Sequence, residues 1–246
     1  MSKQLSVEVW SDIACPWCYV GKRRLEAAIQ QFPQADGVVV SWHAFELDPS
    51  APAVRDPVQS YAERIAKKYG SSVAHADAMI QRMVDIAAAD GLPFDFQRIR
   101  PGNTFHAHRL LHLAKQHGLQ DALKERLLRG YLCEGAAIGD IATLLRLAGE
   151  VGLDIDVAQA LLSTDQYAAE VRADEAEAHT LGVDGVPFFL IGRRYAVAGA
   201  QPAELLLRAL TKAWQELPDV PERLETADGA VCGPDGCSDL GAEPHA

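Results

Sequence analysis

Hydrophobic and polar positions along the chain fall into three kinds of pattern. Near the N-terminus, Leu5–Trp10 is a short, weakly alternating apolar run, and Val38–Phe45 is rich in β-branched and aromatic residues. Both predict strands. Between them, the stretch from Pro16 to about Gln31 predicts a helix that Phe32-Pro33 terminates. A helix between two strands makes a β–α–β unit, whose strands are expected to be parallel and adjacent. Leu47-Asp48-Pro49-Ser50-Ala51-Pro52 then breaks the pattern.

From Pro57 to about Leu181 the apolar positions recur three and four apart, the helical spacing. Helices are predicted over Val58–Tyr69, Val73–Ala89, Leu119–Cys133, Asp140–Val151, Val157–Leu162 and Tyr167–Leu181. Another carries Phe105, Ala107, Leu110, Leu111 and Ala114, with Asn103-Thr104 as its cap. Strand signals return at Gly185–Ile191 and Tyr195–Ala198. They flank Gly192-Arg193-Arg194 and so predict a hairpin. Pro202–Glu216 is the closing amphipathic helix. From Leu217 onward prolines, acids and glycines dominate, the composition of a mobile or draped tail.

A β–α–β unit, a helical block and a β–β–α unit in that order predict an α/β thioredoxin fold with a large all-helical insertion. The expected division is 1–50 for the N-terminal part of the fold and 51–181 for the insertion. Residues 182–216 complete the fold, and 217–246 form the acidic tail. The insertion is expected over the end of the sheet that carries Cys15.

The candidate chemistry lies where the first strand turns into the first helix, at Cys15-Pro16-Trp17-Cys18. Two cysteines with this spacing at a strand-to-helix turn are a redox signature. Free N–H groups and the positive end of the helix dipole favour a thiolate at the first of them. Pro16 fits the first helical turn, where no hydrogen bond is lost. Cys15, at the exposed edge, is expected to be the nucleophile. Cys18, one turn inside, resolves the mixed disulfide. Trp17 is either an apolar lip for a peptide or a packing residue against the insertion. Asp12 is a turn residue or, if buried beside Cys18, its proton acceptor. Lys22, Arg23 and Arg24 are expected on a solvated helix face.

Val186-Pro187 at the head of a strand is expected to hold a cis bond facing the dithiol. The Val186 backbone would then pair with an extended substrate. Cys232-Gly233-Pro234-Asp235-Gly236-Cys237 has good β-turn chemistry, which brings the flanking cysteines within disulfide range. A labile second redox pair is expected there, with a zinc or soft-metal pair as the alternative. Cys133 is expected to be a small buried apolar residue. His108 and His112, four apart, are expected on a solvated or packed helix face, and His43 is expected to be structural.

Composition narrows the partners. The 246 residues carry a formal net charge of −11, which argues against nucleic acid and anionic membranes. No run approaches a membrane span. Met1-Ser2-Lys3-Gln4 lacks an apolar leader core, so a cytoplasmic location is expected. Five cysteines in a reducing compartment are more often catalytic, redox-sensing or metal-bound than a structural framework.

The chain resembles the DsbA family of thiol-disulfide oxidoreductases, and most closely its FrnE-type branch. The resemblance is carried by Ser11 through Gly21, by Phe45-Glu46-Leu47-Asp48-Pro49 and by Asn103-Thr104 with Ala107-His108-Arg109-Leu110. Glu134-Gly135, Gly182-Val183 with Gly185 through Phe189, and Gly199-Ala200-Gln201 complete it. It implies no cofactor and no metal, and protein or peptide thiols and disulfides as partners. It also implies Cys15 as nucleophile, Cys18 as resolving cysteine and Pro187 as cis proline. Pro16, Trp17, Val186 and Pro187 are the expected substrate-binding residues. Typical family members are exported, and the tail pair Cys232/Cys237 lies outside the common family core. Both departures favour cytosolic disulfide reduction or isomerisation, in oxidative stress, with a cellular reductant and with Cys232/Cys237 as auxiliary dithiol. A homodimer through the helical domain or the tail is left open. The rival readings are a thiol-based metal-binding protein and a glutathione-dependent isomerase or transferase on the same fold. The latter type uses serine where Cys15 stands.

Overall fold

The computed structural model describes residues 3–54 and 59–218, together with the backbone of 232–233 and 236–237. Strand β1 is Leu5–Ser11 and β2 is Val38–Ala44, joined by helix α1, Pro16–Gln31, and a 3-10 turn at Ala35–Gly37. The two strands pair in parallel, Leu5 opposite Val38 and Ser11 opposite Ala44. Strands β3 (Phe188–Ile191) and β4 (Tyr195–Ala198) form a hairpin, and β3 runs antiparallel to β1. The sheet order is β2-β1-β3-β4. Helix α9, Ala203–Glu216, follows it.

Alternation along β1 sends its side chains into two layers. Leu5, Val7 and Val9 are fully buried with Leu25 and Ala28 of α1 and Leu206 and Leu210 of α9. Each buried Leu or Val side chain here contributes roughly 1.5–3 kcal/mol through burial. Trp10 points to the opposite face, into a smaller cluster with Ala178, Val183 and Leu190.

Helices α2 (Tyr61–Tyr69), α3 (Val73–Ala89), α4 (Phe105–Gln116), α5 (Gln120–Glu134), α6 (Ile141–Glu150), α7 (Ile155–Leu162) and α8 (Ala168–Thr180) lie between β2 and β3. Their core takes in Ile13, Tyr19 and Val20, so the first turns of α1 are packed into the helical block. The expected thioredoxin fold with inserted helices is therefore present.

Several boundaries differ from expectation. Helix α2 begins at Tyr61 because Ser60 caps it, in a reciprocal capping box with Glu63. Residues 55–58 lie outside the described ones. Thr104 is the N-cap of α4, but the bond is made by Asn103, whose Oδ1 accepts from the Phe105 N–H at 2.8 Å. Strand β3 starts three residues later than Gly185. Pro187 has no N–H to give the ladder, and the Val186 carbonyl is turned toward Cys15. The expected mobility of the tail falls on residues outside the described ones. The described backbone of 232–233 and 236–237 forms β5 (Cys232–Gly233) and β6 (Gly236–Cys237), which pair antiparallel with Cys232 opposite Cys237.

Candidate active site

Cys15 is the N-cap of α1, with an extended backbone (φ −94°, ψ 113°), and Pro16 opens the helix. Its N–H reaches the Asp12 carbonyl at 3.4 Å, and the Cys18 N–H reaches the Cys15 carbonyl at 3.1 Å. Both thiols are free. Cys15 is buried rather than at an exposed edge as expected, with 5% exposure against none at Cys18. Burial pushes the Cys18 thiol well above the usual range, the hydrogen bond and charge of Cys15 add to this, and Lys124 opposes it. The fully buried thiol, and one that is hard to ionise, is thus the one inside the helix.

The Cys15 thiol donates to the Val186 carbonyl at 3.5 Å. The Val186–Pro187 bond is cis. Among the described residues no partner meets the Val186 N–H, and the ladder to β1 begins only at Phe188. Gly21 makes this approach of helix and strand possible. A Cβ there would stand 2.8 Å from Pro187 Cγ and 3.1 Å from the Phe189 ring, closer than packed carbon atoms come.

Beneath the dithiol lies a charged floor. Asp12 is buried, and its Oδ2 accepts from the Leu47 N–H at 2.9 Å. Its Oδ1 faces the Ala14 N–H at 3.3 Å and His108 Nε2 at 3.4 Å. Burial alone would raise its pKa. The bond and charge of His108, the Leu47 N–H and the Thr104 hydroxyl outweigh burial and hold it below the ordinary carboxylate range. Asp12 is therefore an anion saturated with donors, which corrects its expected alternative role as proton acceptor for Cys18. Lys124 of α5 is fully buried, and its Nζ donates to the Ser11 carbonyl at 3.3 Å. Burial brings its pKa down to about 8, against the charges of Cys18, Asp12 and Cys15.

Other residues depart from expectation. Lys22 is not solvated. It is buried, with Glu26, with Asp121 at 3.1 Å and with Glu125 at 3.4 Å. Arg23 and Arg24 are likewise engaged, by Glu26 and Glu125 and by Asp90. His108 and His112 serve two different carboxylates, Asp12 and Asp174. His43 joins Asp174 at 2.8 Å. Pro16 is buried, and Trp17 is half-buried against the helical core. Cys133 is half-buried, and its thiol is pushed up to about 11, chiefly by burial. Burial and then the charge of Cys15 push the Tyr61 hydroxyl above the usual range. With Phe96, Arg98 and Arg100, Tyr61 lines a cavity of about 1240 Å³. Cys232 and Cys237 lie in a separate compact unit from Gln4–Leu217.

Known proteins are similar to this chain in sequence or in fold. A probable DsbA oxidoreductase from Streptomyces coelicolor, SCO1869, is 46% identical, with a TM-score of 0.83 over 97% of this chain and all of that one. YwbO of Bacillus subtilis (strain 168), an uncharacterized protein, is 30% identical over 207 residues, which is 83% of this chain and 95% of YwbO. The cytosolic disulfide reductase DsbM from Pseudomonas aeruginosa, solved with GSH, is 21% identical with a TM-score of 0.56 over 86% of this chain and all of DsbM. The last likeness is one of fold. No helix among the described residues is long and apolar enough to cross a membrane. Residues 6–211 match the family described as the DSBA-like thioredoxin domain. The chain belongs to that family and is a thiol-disulfide oxidoreductase.

Proposed function

We propose that the protein is a cytoplasmic, FrnE-type disulfide reductase or isomerase acting on protein or peptide disulfides through Cys15 and Cys18. The observation that carries this is the placement of Cys15 Sγ 3.5 Å from the Val186 carbonyl, beside an N–H with no partner among the described residues. An extended substrate would take up that free backbone edge and bring its sulfur to Cys15. The Cys15 thiolate attacks one substrate sulfur, and the other leaves as a thiolate. Cys18 then attacks Cys15 Sγ, closing the Cys15–Cys18 disulfide and freeing the second substrate thiol. Pro16, Trp17, Val186 and Pro187 are the substrate-binding residues in this reading.

Reduction or isomerisation is the direction we assign. An unpaired thiol at Cys133 suits a reducing compartment. Cys232 and Cys237 form the auxiliary redox pair in this reading. Directly opposed residues of an antiparallel pair stand about 4.5–5.5 Å apart at Cα, within the disulfide window, and the register sets these two cysteines opposite one another. Recovery from oxidative stress is the setting we assign.

The test is insulin reduction in a glutathione redox series, with each dithiol's potential measured. The account expects turnover by the wild type, a loss to background in Cys15→Ser, and slower recovery from oxidation when Cys232 and Cys237 are both changed to Ser. A potential as oxidising as about −120 mV would overturn the reductase direction.

A further inference from the structure

A buried ammonium ordinarily sits among carboxylates, as Lys22 does with Glu26, Asp121 and Glu125. Lys124 is equally buried and, among the described residues, makes no ion pair. Its Nζ has one hydrogen-bond acceptor, the Ser11 carbonyl at 3.3 Å, and lies 5.6 Å from the centre of the Trp42 ring. The Ser11 hydroxyl is itself buried without a partner. An amine so sparsely satisfied is easily neutralised. The ionisable groups that bear on it are Cys18 and Lys22 from α1, Cys15 at the head of that helix and Asp12 from the turn before it.

We propose that Lys124 is the proton acceptor that turns the buried Cys18 thiol into the attacking thiolate during resolution. The inference rests on the Cys15–Cys18 exchange described above. Neutral Lys124 takes the proton from Cys18 Sγ and becomes an ammonium. The thiolate attacks Cys15 Sγ, the Cys15–Cys18 bond forms, and the bond from Cys15 to the substrate sulfur breaks. The electron pair leaves with the substrate thiolate, so the protein dithiol is oxidised and the substrate disulfide reduced. The Lys124 proton then passes to that thiolate or to solvent. Asp12 cannot substitute, because its oxygens are already held by the Leu47 and Ala14 N–H groups and by His108. Its negative charge instead keeps Lys124 basic enough to accept.

The test is stopped-flow reaction with 5,5′-dithiobis(2-nitrobenzoate), using the full chain with Cys133, Cys232 and Cys237 changed to Ala. Attack by Cys15 releases one equivalent of thionitrobenzoate, and displacement by Cys18 releases a second. In the parent protein the second rate should climb about tenfold per pH unit at low pH and level off above the Lys124 pKa of about 8. In Lys124→Met and Lys124→Arg it should be slower and should keep climbing beyond that point, because only the much less acidic Cys18 then titrates. A plateau unchanged in Lys124→Met overturns the proposal. So does the absence of a plateau in the parent protein, a result independent of whether the variants fold. Absence of any second equivalent would instead overturn Cys18 as the resolving cysteine.

Discussion

Asp12 and Asp174 are both buried carboxylates met by histidines four residues apart on α4, His108 and His112. Both are held below the ordinary carboxylate range, because donors outweigh the burial that opposes ionisation. Their surroundings differ. Asp174, on α8, takes the Ala44 N–H at 2.7 Å, His43 at 2.8 Å and His112 at 3.0 Å. It joins β2, α4 and α8, and Trp10 adds to the clip by donating to its backbone carbonyl at 2.9 Å. Asp12 takes longer bonds and shares its pocket with Lys124 and the two thiols. One donor logic thus produces two devices. A carboxylate closed off by its partners holds elements together, whereas one beside titrating groups sets their protonation.

Breaking the closed cluster should have the largest effect on stability. Asp174→Asn should cost roughly 3 kcal/mol in urea unfolding, as expected for removing one partner of a buried pair. Disulfide exchange per folded molecule should stay unchanged. A loss of activity without a loss of stability would reverse the assignment of the two clusters. The pH dependence has a definite sign. Because the folded-state pKa of Asp174 is depressed, its contribution is complete above the ordinary carboxylate range and fades as pH falls below it. The Asn variant should therefore show a flatter acid limb than the wild type.

Asp12→Asn should cost less, about 1–2 kcal/mol, and should act on the chemistry. Its charge raises the Lys124 pKa, so its removal should move the plateau of the second thiol-exchange phase to a pH below 8. An unmoved plateau would separate Asp12 from the exchange. His112→Gln should have the smallest effect, under about 1 kcal/mol, since the amide retains a donor for Asp174. Thermal unfolding beside His43→Gln would rank the two donors.

The sheet was legible because its signals are local. Val38-Val39-Val40 and the weak alternation of Leu5–Trp10 mark β2 and β1, and Gly192 marks the turn of the hairpin. The dithiol and Val186-Pro187 were legible for the same reason. The charged floor was not, because the burial of a lysine depends on what packs across from it. Lys22 and Lys124 are covered only when α5 lies on β2, where Gln120 bonds the backbone of Trp42 from both ends of its amide. One signal was nevertheless present. Gln120 and Lys124 fall on the stripe of Leu123, Leu127, Leu128 and Tyr131, polar interruptions of an apolar helix face. His108 likewise interrupts the apolar face of α4 between Ala107 and Leu111.

The central claim is that Cys15 attacks and Cys18 resolves. It is tested most directly by incubating Cys18→Ser with a disulfide-bonded peptide and mapping the trapped adduct by mass spectrometry. The account predicts a stable mixed disulfide on Cys15. An adduct confined to Cys133, Cys232 or Cys237, or no adduct at all, would contradict it.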